Sequence, residues 1–490
     1  MSRFPALAIT LLFIGSATAS ESQLAAETVG AMESIGVSGP DDARAATPDE
    51  AQRILSIEDV LDLALQNNPR IIRARLGTEE SQAEYDAATA EMHPRIEVTT
   101  SLAPVPGHRI GDPATPFAGT PDRDFGDLGE WGIWARLNIK LYQPIYTSGK
   151  ITWLRRAHQL GVQVGKARED IAKADVRLEV MQAYFGLMLT RKLASVLAEG
   201  RGYFDKARKH LQKMEDEDDP SFDPVDTMKV SVYEAQIIER ELQAKRMMKL
   251  AEGQLRRLID EDPLSETTFS LPEDLEPVEP VGSPSLNELV QTGLDNRVEL
   301  AALRTGIKAR EAEVEARFRN FFPDFLLYGE FNVSFSNVAD NMTFPYYDPY
   351  NDLYLGAGLV MRFDLNIGKK LGQLKVARAK KSGLQAELDA AENGIALEIS
   401  KLFMEMDDAR TMMETRRNAL KAARGWVIAK TDLFENDLCG LQDIIDGLTQ
   451  FFLAQVSFQQ SIYDFNMAVA ALERATGVEL VPVPGSDVEQ

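Results

Sequence analysis

The sequence predicts a mainly α-helical chain with a small membrane β portion, in which one unit of paired strands and a long helical hairpin is built twice. Three observations predict it. Two stretches, 149–215 and 369–434, contain no proline and carry apolar residues three and four apart, the spacing of a helix seam. Short marks recur at fixed offsets: Gly149-Lys150 returns as Gly368-Lys369 and Ala235-Gln236 as Ala454-Gln455, each 219 residues on. Four further runs alternate apolar and polar residues, the two-residue period of strands with one wet face.

In chain order, Arg3 precedes the apolar run Ala6 to Ile14 and then Ser16-Ala17-Thr18-Ala19, which reads as an export signal ending at residue 19. Residues 20–53 are rich in Ala, Glu and Ser and read as a flexible lead-in. Ser56 with Asp59 three residues on is an N-cap signal for a helix carrying Ile57, Val60, Leu61 and Ala64 on one face. Asn68-Pro69 breaks it, and a second helix runs from Arg70 to Met92. After Pro94, Ile96, Val98, Thr100 and Leu102 alternate with Arg95, Glu97, Thr99 and Ser101. A Pro- and Gly-rich loop over 104–130 leads to a second run, in which Trp131, Ile133, Ala135, Leu137, Ile139 and Leu141 alternate with Arg136, Asn138, Lys140 and Tyr142. The first arm follows from Gly149 to Glu215 and turns at the acidic tip Glu215 to Pro220.

Residues 260–284 are rich in Pro, Glu and Asp, contain a short Thr267-Thr268-Phe269 run, and read as a linker that can wrap the outside of the body. The second copy then opens. Ser285-Leu286 to Val290 matches Ser56 to Leu61, and Pro323 matches Pro94, both 229 residues on. Phe325 to Phe335 and Leu353 to Phe363 are its two alternating runs, joined by a loop over about 337–352. The second arm, of roughly 66 residues, spans about 100 Å at 1.5 Å per residue. That is some three times the hydrocarbon thickness of a bilayer, and every turn is charged, so it is no membrane span. Its seam is Leu388, Ala391, Ile395, Ile399, Leu402, Met406, Ala409 and Met413. The expected divisions are therefore 1–19 signal, 20–53 lead-in, 54–259 first repeat, 260–284 linker, 285–477 second repeat and 478–490 tail.

The strands decide where the chain sits. Each run has the length and dyad pattern of a membrane-barrel strand; the other reading is a soluble sheet with one face on a core. Four strands cannot close a barrel, since the smallest membrane barrels have about eight, and an open edge in lipid leaves backbone groups unpaired. Strands in a membrane would therefore require several chains.

Net charge is −23, which disfavours nucleic acid as a partner, and a single cysteine, Cys439, excludes an internal disulfide. No P-loop, dinucleotide fingerprint or Gly-x-Ser-x-Gly occurs, and the four histidines stand far apart. No catalysis and no cofactor are expected. Asp122-Arg123-Asp124 and Tyr346 to Asp352 are loop acids that read either as solvated or as a calcium site. At the second tip, Asp443 and Asp446 are three apart and share a helix face. In a symmetric oligomer they would form carboxylate rings that favour cations; alternatively they complement the helix dipole.

The signal, the duplicated halves, the two-strand insertions and the arms together resemble the TolC-like outer-membrane efflux protein family over residues 54–477. The local marks are Ser56 to Pro69, Leu141-Tyr142-Gln143-Pro144-Ile145-Tyr146 before Gly149-Lys150, Asp443-Ile444-Ile445-Asp446 before Ala454-Gln455, and Tyr463-Asp464-Phe465-Asn466 through Gly477. The resemblance implies a homotrimer with a shared twelve-stranded β-barrel in the outer membrane and an α-barrel through the periplasm. It implies an exit duct of a tripartite efflux or type I secretion system, with a periplasmic adaptor and an inner-membrane transporter as partners. It places the pore constriction at Asp443 and Asp446. A tip gate would involve Asp226 and Phe434, where the family's tyrosine falls, while its basic partner falls near Cys439. The competing readings are a periplasmic coiled-coil adaptor or spacer, which leaves the four strands idle, and a secreted enzyme.

Overall fold

The computed structural model describes residues 54–106, 131–218, 222–272, 274–280, 284–338, 350–435, 438 and 440–478. The expected signal, lead-in and tail, and most of the two strand-connecting loops, lie outside these residues. So do the loop acids Asp122, Asp124 and Asp348. Among the described residues, no helix is long and apolar enough to cross a membrane.

The elements are β1 (Ile54–Leu55), α1 (Ile57–Asn67), α2 (Pro69–Ala90), β2 (Arg95–Pro106), β3 (Trp131–Tyr146), α3 (Lys150–Asp216) and α4 (Pro224–Leu258). They continue as β4 (Thr268–Phe269), α5 (Leu286–Asn296), α6 (Val298–Arg319), β5 (Asp324–Ser336), β6 (Asp352–Arg362), α7 (Ile367–Glu435) and α8 (Leu441–Thr476). The run helix, helix, strand, strand, long helix, return helix occurs twice. At 67 and 69 residues, α3 and α7 are each about 100 Å long. Both capping boxes form: Ser56 and Asp59 exchange hydrogen bonds at the start of α1, and Ser285 and Glu288 at the start of α5. The Ser285 backbone N–H and hydroxyl hold the Glu288 carboxyl below its ordinary value. Gly149 takes φ +82° to turn β3 into α3, a conformation that a side chain would strain.

One sheet joins the halves, in the order β2-β3-β5-β6, antiparallel throughout. Its register places Val98, Ile139, Phe331 and Leu355 in one row and Thr99, Asn138, Asn332 and Tyr354 in the next. Since successive side chains alternate faces, one face is predominantly apolar and the other carries most of the polar residues, with an apolar row at Pro144, Leu326 and Val360. Across the inner strands β3 and β5 burial runs opposite to that of a soluble sheet, while on the outer strands β2 and β6 both faces are mostly exposed. On the apolar face Leu355 is 80% and Val98 59% exposed, whereas Asn332 on the polar face is 5% exposed. The polar face carries its own network: Arg136 donates to Asn332 at 2.7 Å, Asn138 to Glu330 at 2.8 Å and Asn332 to Asp352 at 3.2 Å. Among the described residues, β2 and β6 each pair on one side only. The sheet is tied to the helices where Lys150 pairs with Asp324 and the Ser148 hydroxyl donates to the Pro323 carbonyl.

The main core sits at mid-length of the long helices, where Val176 to Leu189 of α3 meet α1, α5, α6, the α7 seam and Ile462 to Ala475 of α8. All eight seam residues of α7 belong to it, five buried and three partly buried. Arg474 closes this junction with charge, donating to Asp175 at 2.9 Å and Glu299 at 2.7 Å. Burial alone would raise the Glu299 carboxyl, but the Arg474 hydrogen bond, a backbone N–H and the charges of Arg474 and Arg297 hold it below its usual value. The linker is part of the body as well. β4 pairs in parallel with β1, and the fully buried Asn466 amide accepts from Val278 N–H and donates to the Glu276 carbonyl.

Candidate functional site

The charged residues singled out by the sequence lie where the two hairpins end. Their frame is a small apolar cluster: Phe204 and Leu211 of α3, Val230 of α4 and Ile445 of α8, all buried. Ile445 is the link, because it belongs to the second hairpin and packs into the first. At 100° per residue, burying Ile445 turns Asp443 and Asp446 away from the cluster, about 60° apart on one side of α8. Two close approaches fix the same region. A Cβ on Gly200 would lie 3.4 Å from the Phe452 ring, and one on Gly447 3.7 Å from Val427.

The two aspartates are not equivalent. Asp443 stands at the third helical position of α8, and its Oδ2 accepts from the Gly440 N–H at 3.3 Å, the half of a capping box that a glycine can supply. Its Oδ1 accepts from Lys430 Nζ of α7 at 2.7 Å. The Lys430 hydrogen bond, then its charge and the Gly440 N–H, hold the Asp443 carboxyl below its usual range. A carboxylate lowered in this way is ionised throughout the neutral range. Its stabilising contact is complete above the ordinary carboxylate value and is lost only as pH falls through the lowered one. Asp446 is exposed, and its described contact is with Gln442, one turn back, which donates at 2.9 Å. The sequence pointed to both aspartates but missed Lys430. The signal was present, since residues roughly equidistant from a hairpin turn come opposite each other, but it requires the turn to be placed to within a residue.

Asp226 lies in the first turn of α4, where its Oδ1 accepts from Lys229 of the same helix at 2.8 Å, and this hydrogen bond raises the Lys229 ammonium above its usual value. Phe434 lies within α7, but its side chain is outside the described residues, as is Cys439. No described contact joins Asp226 to α7, so the expected gate remains a sequence assignment. Cross-helix ion pairs, Arg208–Glu234 at 3.1 Å and Arg201–Glu241 at 3.2 Å, hold α3 to α4 behind the tip. Among the described residues, no cluster of three His, Cys, Asp or Glu could hold a metal ion.

No family model and no curated protein matches the sequence. Solved structures do match. A membrane protein from Pseudomonas aeruginosa is 17% identical, with TM-score 0.69, over 86% of this chain and 93% of that one. The outer membrane protein VceC from Vibrio cholerae is 16% identical, with TM-score 0.69, over 86% and 96%. The CmeC outer membrane channel of Campylobacter jejuni is 15% identical, with TM-score 0.68, over 86% and 85%. The fold is that of the TolC-like outer-membrane channels.

Proposed function

We propose that this chain is the outer-membrane exit duct of a tripartite efflux or type I secretion system. It is a passive conduit across the outer membrane and periplasm that catalyses nothing itself. The observation that carries this reading is the sheet, whose apolar face is exposed at Val98 and Leu355 and whose polar face is hydrogen-bonded across the inner strands, where Asn138 and Asn332 are buried. Such a face suits lipid, and lipid forbids the one-sided edges of β2 and β6. Closure by copies of the same chain satisfies both edges: three copies give a homotrimer with twelve strands, within the range of membrane barrels. The long helices then extend into the periplasm as an α-barrel that meets an adaptor and an inner-membrane transporter. The fold likeness to proteins described as outer membrane channels supports the same reading. On this reading Asp443 and Asp446 line the pore constriction, Asp226 and Phe434 stand at the tip gate, and residues 54–259 and 285–477 are the two repeats.

The test is fractionation of the expressed protein, with membranes extracted in detergent and sized. A trimer in the outer-membrane fraction is the expected result. A soluble periplasmic monomer would overturn the duct and favour a coiled-coil spacer.

A further inference from the structure

From the geometry at the second tip we infer that Lys430 is a specificity-determining residue of the duct, cancelling the charge of Asp443 so that, of the two constriction aspartates, Asp446 supplies the negative field. This rests on the reading of Asp443 and Asp446 as the constriction. Lys430 reaches Asp443 from the facing helix at 2.7 Å, and the two side chains are only 27% and 47% exposed. The other oxygen of Asp443 is engaged by Gly440 N–H. Both oxygens of Asp443 are therefore occupied in pinning α8 to α7 and capping α8, and the pair has no net charge. Asp446 is exposed one turn further along α8, and its described contact is the uncharged Gln442 amide. In a trimer, the Asp443 level contributes three neutral pairs and the Asp446 level three carboxylates. A pore lined in this way holds half the negative charge that its aspartates suggest, and a permeating cation meets one ring instead of two.

The same pair ties the ends of the hairpin together, so Lys430 has a structural role that the test must separate from its effect on charge. Trimers are reconstituted in planar bilayers, and the K⁺/Cl⁻ permeability ratio is read from reversal potentials in a KCl gradient for the native chain, Lys430→Met, Lys430→Arg, Asp446→Asn and the swap Lys430→Glu with Asp443→Lys. Lys430→Met uncovers a second carboxylate ring and should raise the ratio at least about twofold. Lys430→Arg and the swap, which keep the pair neutral, should leave the ratio at the native value, and Asp446→Asn should lower it. If Lys430→Met does not assemble, Lys430→Gln is read in its place. An unchanged ratio on removing the Lys430 charge, with Asp446→Asn still lowering it, overturns the assignment and leaves the constriction standing. A ratio unmoved by every variant removes the constriction, and this assignment with it.

Discussion

Val98→Arg is expected to keep the chain out of the membrane, while Thr99→Arg, one residue along the same strand, is expected to be tolerated. The two positions are adjacent in β2 and are both exposed, so neither substitution leaves a cavity in a packed core. They differ only in the face they occupy. Val98 shares a row with Ile139, Phe331 and Leu355, whereas Thr99 shares one with Asn138, Asn332 and Tyr354. An arginine on a lipid face costs about 2–4 kcal/mol near the bilayer midplane, whereas lumen-facing substitutions tune selectivity. In a trimer the substitution is made three times, so the effect on assembly is multiplied. The measurement is the yield of heat-modifiable trimer in the outer-membrane fraction, with far-UV circular dichroism showing that the helices still form. Equal yields from both variants would mean that the apolar face does not meet lipid.

A second large effect is expected at the junction of the halves. Ile399 of α7 is fully buried, and Ile399→Ala should cost about 2–5 kcal/mol, the range for buried large-to-small changes. Gly293 of α5 lies against it, and a Cβ there would meet Ile399 Cδ1 at 2.3 Å and the Ala475 carbonyl at 3.4 Å. Gly293→Ala in the native background therefore overpacks a site that includes backbone on its far side, costing about 1–3 kcal/mol, partly offset by the roughly 1 kcal/mol gain in helix propensity. In the Ile399→Ala background the obstructing methyl is gone, so the same alanine fills space and keeps its propensity gain. Its sign should reverse, with a recovery of about 1 kcal/mol. Because membrane trimers unfold irreversibly, the comparison is best made as half-lives at a fixed denaturing temperature. Additive effects would show that α5 and α7 do not meet through these atoms.

Ile399 also shows why so much of this fold was legible. It is one of eight seam residues picked out by spacing, and all eight pack into the core, because a helix presents residues three and four apart on one side whatever its neighbours are. The caps at Ser56 and Ser285 were legible for the same local reason. The linker was not. The pairing of Thr268-Phe269 with Ile54-Leu55 joins segments more than two hundred residues apart, and a two-residue strand has no period from which a partner could be read. The hold of Asn466 on the linker, through both ends of its amide, is equally invisible to periodicity.

The sequence by itself determined the duplication, the arms, the strands and the face each strand residue occupies, since a strand alternates with a period of two and one residue decides the side. It also found the acids at the second tip. Only the tertiary structure decided how the tip acids are used: at the second tip Asp443 is committed to Lys430 and Gly440 and Asp446 is left exposed, and at the first tip Asp226 is engaged by Lys229. The physical reason is range. Periodicity and capping act within a few residues of the chain, whereas an ion pair depends on where two helices place their ends, and a shift of one residue in the hairpin would give Lys430 a different partner.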